Sequence, residues 1–214
     1  MGKSVADQIQ EVREKALACR ECEELVRTRT QVVFGHGNPE ANLVFVGEAP
    51  GENEDARGVP FVGRAGQLLD EILEENELSR DEIWITNVVK CRPTTMSAET
   101  GRLSNRAPRV GEVRACQKWI DSELSIINPT VVVCLGGPSA SLIIHKGFKM
   151  TEERGEWFLD SMYAPFVIAA YHPAYVLRMH GDSHDRAREF LSADIAAAKK
   201  KSIEEKGQPK MTLF

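Results

Sequence analysis

The fold is decided by the segment Asn42-Leu43-Val44-Phe45-Val46-Gly47-Glu48-Ala49-Pro50-Gly51-Glu52-Asn53-Glu54-Asp55, in which a short apolar run leads into a loop of glycine, proline and acids. The apolar run predicts a buried strand, and the loop follows its carboxyl end, where ligand sites form in open α/β sheets. Gly47 and Gly51 permit close approaches that a β-carbon would prevent, and Pro50 fixes one φ angle. The segment predicts either a ligand-binding loop or an ordinary turn with solvated acids.

Further apolar runs alternate with helical patterns along the rest of the chain. Strands are predicted over residues 83–89, 130–135 and 165–170, each followed by a helical segment. This alternation is typical of a mostly parallel sheet with helices on both faces. We therefore predict a three-layer α/β fold with about four strands. The predicted organisation is a single domain over residues 1–205 and a flexible tail over residues 206–214.

The composition limits the classes of protein to be considered. With 214 residues and 42% hydrophobic content, the chain is long enough for one well-buried core and short for two. It has no apolar run of about 18 residues, and acids in its first turns (Asp7, Glu11 and Glu14) argue against a signal peptide. We expect a cytoplasmic protein that does not contact a membrane.

Charge is unevenly distributed. The net charge is -5, but residues 88–118 contain seven cations and two acids, which makes this window +5 and the remainder -10. A basic face on an acidic body is suited to phosphate contacts at one site. A solvated loop is the alternative interpretation of this window alone.

Four of the five cysteines are candidates for a metal site. Cys134 lies inside an apolar strand pattern and is expected to be a core residue. The remaining thiols, Cys19, Cys22, Cys91 and Cys116, form one close pair and two single positions, a count that suits a four-thiolate site. A helix rather than a βαβ unit precedes the first pair, which disfavours a redox dithiol. Spacing alone does not separate zinc from an iron-sulfur cluster.

Three side chains near predicted strand ends could contact a ligand. Phe61 follows the acidic loop, where it could stack on a base or simply cover the core. Asn87 interrupts the second apolar strand near its end, and a buried amide needs both donor and acceptor partners. His172 precedes a proline after the last strand, as a rigidly held donor or as a surface residue.

Taken together, these blocks resemble the family 4 uracil-DNA glycosylases, the iron-sulfur type found in archaea and thermophilic bacteria. The resemblance runs from about Cys19 to Lys200 and rests on six ordered motifs, which are Gly47-Glu48-Ala49-Pro50-Gly51 with Glu54-Asp55, Pro60-Phe61-Val62-Gly63, Thr86-Asn87-Val88-Val89-Lys90-Cys91-Arg92-Pro93, Asn105-Arg106-Ala107-Pro108, Glu112 with Cys116, and His172-Pro173 with Leu177-Arg178. It implies a base-excision-repair enzyme that flips uracil out of DNA and hydrolyses the N-glycosidic bond.

The resemblance also implies roles for particular residues. A 4Fe-4S cluster would be held by Cys19, Cys22, Cys91 and Cys116. The expected catalytic residues are Glu48, Asn87 and His172, with Asn87 reading uracil and His172 stabilising the departing base. The expected substrate-binding residues are Ala49, Pro50, Gly51, Glu54, Phe61, Leu177 and Arg178, with Leu177 as a wedge in the base stack and Arg178 on a phosphate.

The sequence is also compatible with two alternatives to a monomeric, monofunctional glycosylase. One is a nucleic-acid-binding module that retains the fold and cluster without catalysis. The other comes from the loop between Cys91 and Cys116, whose length resembles that of the X-type relatives that trap uracil-DNA covalently through a loop histidine. The corresponding position here is Asn105, which lacks that nucleophile, so we expect turnover rather than trapping.

The C-terminal tail resembles a sliding-clamp-binding peptide. Gln208 is followed by an aliphatic residue three positions on, Met211, and an aromatic residue six positions on, Phe214. A frayed terminus is the alternative.

Deletion of residues 208–214 therefore tests the tail. We expect the truncated protein to lose pull-down by a sliding clamp, because the anchoring side chains are removed, and to keep its activity on short oligonucleotides. Pull-down that is unchanged by the deletion would show that the tail is not the clamp-binding segment.

Overall fold

The computed structural model describes residues 2–205. The tail residues Gln208, Met211 and Phe214 lie outside this range. Within it, helices and strands alternate as the sequence predicts. The helices are α1 Val5–Leu17, α2 Glu23–Thr28, α3 Glu52–Arg57, α4 Arg64–Glu75, α5 Val110–Ile127, α6 Gly137–Ile143, α7 Met150–Glu153, α8 Pro173–Val176 and α9 Asp182–Glu204. The strands are β1 His36–Gly37, β2 Leu43–Gly47, β3 Trp84–Asn87, β4 Thr94–Met96, β5 Leu103–Asn105, β6 Val131–Leu135, β7 Trp157–Ser161 and β8 Ala164–Ala170.

The main sheet has six strands in the order β1-β3-β2-β6-β8-β7. Its four central strands, β3, β2, β6 and β8, are parallel to one another, whereas the edge strands β1 and β7 are antiparallel to their neighbours. The predicted α/β class and the four parallel strands are confirmed. The two edge strands are additional, and β1 is too short to leave a periodic pattern in the sequence.

Part of the segment predicted as a long loop after Cys91 is a small hairpin. Strands β4 and β5 pair antiparallel, with Thr94 opposite Asn105 and Met96 opposite Leu103. These three-residue strands are rich in Thr and Ser and largely exposed, so they lack the apolar alternation that predicts a strand. The hairpin brings Asn105 back towards the main sheet.

The core has two layers, one on each face of the sheet. Alternate residues of β2 point to opposite faces, so that Val44 and Val46 pack in one layer while Leu43 and Phe45 pack in the other. Helix α5 contributes Ile120 and other apolar residues to the first layer, and helix α9 contributes Leu191 and others to the second. Helices therefore cover both faces, as parallel strands require.

The register of the sheet places several strand ends together. Gly47 at the end of β2 lies opposite Asn87 at the end of β3, and Leu135 at the end of β6 lies opposite Ala170 at the end of β8. The segments that follow these residues leave the sheet at the same edge, where they can form one site. Within residues 2–205, no helix is both long and apolar enough to span a membrane.

Candidate functional site

A cavity of about 670 Å³ opens at this edge of the sheet. Its size is within the usual range for small-molecule and cofactor sites. Most of the side chains selected from the sequence line it, namely Glu48, Ala49, Pro50, Gly51, Glu54, Phe61, Asn87, His172 and Arg178. Leu177 does not line the cavity. It directly follows α8 and packs, half-buried, against the core layer that contains Phe45 and Leu191.

Gly47 makes room for the two side chains at the bottom of the cavity. A β-carbon at position 47 would lie 2.4 Å from Asn87 Oδ1 and 2.6 Å from Phe61 Cζ, distances that real β-carbons do not show. Asn87 is 2% exposed and Phe61 5% exposed. The absence of a side chain at this position therefore lets a buried amide and an aromatic ring share one wall.

Phe61 has an unusual backbone conformation that neighbouring groups hold in place. Its φ angle is 54°, in the left-handed region that non-glycine residues rarely adopt. Arg80 donates to the carbonyl oxygens of Pro60 and Phe61 and is itself paired with Asp70. The Phe61 carbonyl also packs against Gly66, where a β-carbon would lie 1.9 Å from the oxygen. Arg80 was not selected from the sequence, because its partners are backbone atoms distant in the chain.

His172 has a defined tautomer. It caps helix α8, and its Nδ1 accepts a hydrogen bond from the backbone N–H of Ala174 at 3.0 Å. In a neutral imidazole whose Nδ1 is an acceptor, the proton is on Nε2. Burial, followed by the positive charge of Arg178, lowers the pKa of His172 to about 4. The ring is therefore neutral at pH 7 and offers an Nε2–H donor beside Phe61, with ring centroids 5.5 Å apart.

Glu48 and Glu54 have different environments. Burial raises the pKa of the Glu48 carboxyl, which makes it a stronger base than an exposed glutamate. Glu54 instead ties two loops together. Its Oε1 accepts from the backbone N–H groups of Val62 and Gly63 at 2.9 and 2.7 Å, and its Oε2 accepts from that of Gly51 at 3.1 Å. Glu54 thus fixes the loops that carry Gly51 and Phe61.

The cavity has further walls, formed by two tyrosines that the sequence did not single out and by Asn105. Tyr171 and Tyr175 line it with ring centroids 4.8 Å apart. Asn105, at the end of the β4–β5 hairpin, also lines it, and its Oδ1 accepts from Arg92 Nε at 2.7 Å. The tyrosines flank the histidine-proline motif, which is the sequence signal that could have identified them.

The four thiols selected from the sequence surround a second, smaller cavity. Cys19 and Cys22 lie between α1 and α2, Cys91 follows β3, and Cys116 lies on α5. Cys91 and Cys116 are each 7% exposed, whereas the first pair is half-buried. Cys134 is fully buried within β6, as expected for a core residue. The chain therefore brings together the four cysteines that the sequence grouped.

The four thiols face a shared space but do not form a site for a single metal ion. Among residues 2–205, no three Cys, His, Asp or Glu side chains converge on the position of a single metal ion. The thiols instead face a shared space, and two sulfurs already accept hydrogen bonds, Cys91 from Arg29 at 2.9 Å and Cys116 from the backbone N–H of Lys90 at 3.2 Å. Such donors stabilise thiolate sulfur. Burial raises the pKa values of the Cys22, Cys91 and Cys116 thiols, that of Cys116 to about 12.

Comparison with known proteins gives a consistent result. The family model of the uracil DNA glycosylase superfamily matches residues 34–196. A type-4 uracil-DNA glycosylase of Thermotoga maritima is 40% identical, with 88% of this chain and 91% of the relative covered. One of Archaeoglobus fulgidus is 37% identical over 99% of this chain and 98% of the relative. A type-5 uracil-DNA glycosylase of Thermus thermophilus is more distant, at 27% identity over 86% and 93%.

The protonation state of His172 can be measured directly. In long-range ¹H–¹⁵N NMR spectra, we expect the Nε2–H tautomer and a titration midpoint near pH 4, because burial and Arg178 disfavour the imidazolium. Exposed His145 provides an internal control, since its hydrogen bond to Glu153 raises the pKa and its midpoint should lie above that of an ordinary histidine. A His172 midpoint near 6.5, the ordinary value, would contradict the assignment of a neutral donor.

Proposed function

The chain belongs to the uracil DNA glycosylase superfamily and matches type-4 members over most of its length, and from this premise we propose how it excises uracil from DNA. It is a DNA glycosylase of base excision repair, a hydrolase of N-glycosyl bonds that leaves an abasic site. The observation that carries the proposal is the convergence of a buried amide, an aromatic ring and a neutral imidazole on one cavity.

Recognition of uracil is assigned to Asn87 and Phe61. A flipped uracil would stack on the Phe61 ring, while the Asn87 amide donates to O4 and accepts from N3–H. Cytosine presents the opposite polarity at both atoms, which would leave buried groups on both partners without hydrogen bonds. A buried polar site of this kind discriminates strongly between the two bases.

Departure of the base is assigned to His172. As the bond between C1′ and N1 breaks, the sugar becomes oxocarbenium-like and negative charge develops on uracil, including O2. The Nε2–H of a neutral His172 can stabilise that charge without transferring a proton. The cap on Nδ1 holds the ring in the required tautomer before the substrate arrives.

Completion of the reaction is assigned to the loop after β2. A water molecule attacks C1′, and Glu48, a strengthened base, positions it and takes up its proton. The backbone of residues 49–51 would contact the pyrimidine, held in place by Glu54. Asn105 offers an amide where a covalently trapping enzyme would need a nucleophile, so the products are free uracil and an abasic site.

Contacts with DNA are assigned to the two residues that follow the helix capped by His172. Leu177 would enter the stack that the base has left, and Arg178, which is exposed, would pair with a phosphate. We further propose that the protein acts as a monomer in the cytoplasm, associated with the nucleoid while on DNA. The sliding-clamp interaction of the tail remains a prediction.

A 4Fe-4S cluster is the group that we propose for the second cavity, held by Cys19, Cys22, Cys91 and Cys116. Its contribution when bound would be structural, because it would cross-link α1, the end of β3 and α5. Support comes from four thiols around one space and hydrogen bonds to two of the sulfurs, together with the motif resemblance to iron-sulfur glycosylases.

The excision reaction is tested with end-labelled oligonucleotides that contain a single U, T or C, cleaved with alkali after incubation. We expect cleavage only at U, with turnover, and a decrease of about 10² or more for His172→Ala, the scale of losing one transition-state donor. Tyr163→Phe, which alters a buried hydroxyl hydrogen-bonded to Asp121, is the control that should retain activity. Absence of cleavage at U by iron-loaded wild-type protein would favour a binding module instead.

The cluster is tested by composition. We expect purified protein to be brown, to absorb near 400 nm, and to contain about four irons per chain, a ratio set by the proposed cluster type. Replacement of Cys91 by Ala should remove the iron, whereas Cys134→Ala should keep it, because Cys134 is buried elsewhere in the core. Stoichiometric zinc in place of iron would contradict the proposal.

A further inference from the structure

A fully buried ion pair lies between the thiol cavity and the uracil cavity. The Lys90 ammonium contacts the Glu123 carboxylate of α5, and their side chains are 1% and 0% exposed. Neither residue lines the uracil cavity, and the excision chemistry proposed above uses neither. The hydrogen bonds of the pair indicate its role.

A buried ion pair usually adds little to the free energy of unfolding. Removing two charges from water is costly, and apolar side chains of similar volume often replace a buried ion pair without loss of stability. The hydrogen bonds of the pair are more informative. They connect a strand end, a neighbouring loop and a sulfur that is assigned to the cluster.

The Lys90 side chain forms hydrogen bonds with the last two residues of β3. Its Nζ donates to the backbone carbonyl oxygen of Asn87 at 2.7 Å and to Thr86 Oγ1 at 2.7 Å. Asn87 is the last residue of the strand and the residue assigned to uracil recognition. The ammonium therefore fixes the peptide unit from which the recognition amide projects.

Glu123 fixes Lys90 in turn. Its carboxylate accepts from Thr86 Oγ1 at 2.9 Å and from the backbone N–H of Gly35 at 3.0 Å. Gly35 is required for this approach, because a β-carbon there would lie 2.3 Å from Glu123 Oε1. The Glu123 carboxylate is thus held by hydrogen bonds from Gly35 and Thr86 in addition to its ion pair with Lys90.

The same lysine also reaches the thiol cavity. Its backbone N–H donates to Cys116 Sγ, and its neighbour Cys91 is a second cluster cysteine. One residue therefore contacts a proposed cluster ligand through its backbone and the recognition strand through its side chain.

We propose that Lys90, paired with Glu123, is a positioning residue that sets the Asn87 amide against uracil. This inference rests on the proposed function. It assigns to the buried pair a contribution to base recognition and excision that is separate from folding and from cluster retention. Because substitution of the side chain leaves the Lys90 backbone N–H in place, the hydrogen bond to Cys116 is preserved.

The test uses the double variant Lys90→Met/Glu123→Gln. It removes both charges together and so avoids leaving one unpaired charge in the core, and Gln can still accept from Gly35. We expect wild-type iron content and an affinity for DNA without uracil within about twofold of wild type, because the proposed DNA contacts, Leu177 and Arg178, lie elsewhere. The single-turnover rate at U should fall by about tenfold or more, since small displacements of a reacting geometry are costly.

A mutant cycle with Asn87→Ala separates positioning from a general structural effect. If the pair acts through Asn87, the double substitution should have little further effect, within about twofold, once Asn87 is already Ala. Tyr163→Phe, which alters another buried polar contact to α5, should lower the rate equally little in both backgrounds.

Three results would overturn the inference. These are an undiminished rate in the double variant, multiplicative losses in the Asn87→Ala background, and loss of iron in parallel with loss of rate. A wild-type protein without activity at U would instead contradict the proposed function, so the two failures are distinguishable.

Discussion

The site depends on Gly47, the last residue of β2, where the sheet borders the cavity. Because this residue has no side chain, two other side chains can occupy the adjacent space. The parallel register of β2 and β3 places Gly47 directly opposite Asn87. A β-carbon there would occupy the space now taken by the Asn87 oxygen and the edge of the Phe61 ring. The glycine therefore converts an ordinary pair of strand ends into a shared wall with one polar and one aromatic group.

Several groups that shape the cavity make their hydrogen bonds with backbone atoms. The N–H of Ala174 fixes the His172 ring, Glu54 binds two loops through their N–H groups, and Arg80 binds the carbonyl of Phe61. A site built in this way is ordered before its ligand arrives, so less binding free energy is spent on arranging it. In the proposed mechanism, neutral His172 would donate a hydrogen bond to the departing base, and Glu48, a strengthened base, would take up the proton of the attacking water.

Sequence patterns predicted the parallel core well and the edges poorly. The apolar runs that became β2, β6 and β8 are nearly continuous, as strands buried on both faces require, and the helical segment predicted after residues 83–89 became α5. The two-residue strand β1 and the exposed β4–β5 hairpin leave no such pattern. Strand β7 was also missed, although it pairs with β8 along most of its length.

The residues of the site likewise divide into those that a sequence pattern marks and those that it does not. Asn87, Phe61 and His172 stood out because each interrupts or follows a strand with an unexpected residue type. Arg80 and the buried pair of Lys90 and Glu123 did not, because their importance comes from partners distant in the chain. Position along the chain predicted most of the candidate residues that line the cavity, whereas the residues that hold them in place become visible only once the chain is folded.

The most direct measurement is a crystal structure of the protein with DNA that contains 2′-fluoro-deoxyuridine, whose fluorine slows formation of the oxocarbenium ion. We expect an extruded uracil stacked on Phe61, with the Asn87 amide on O4 and N3–H and His172 Nε2 within hydrogen-bond distance of O2. A base bound in the cavity with Asn87 or His172 directed away from it would contradict the central claim.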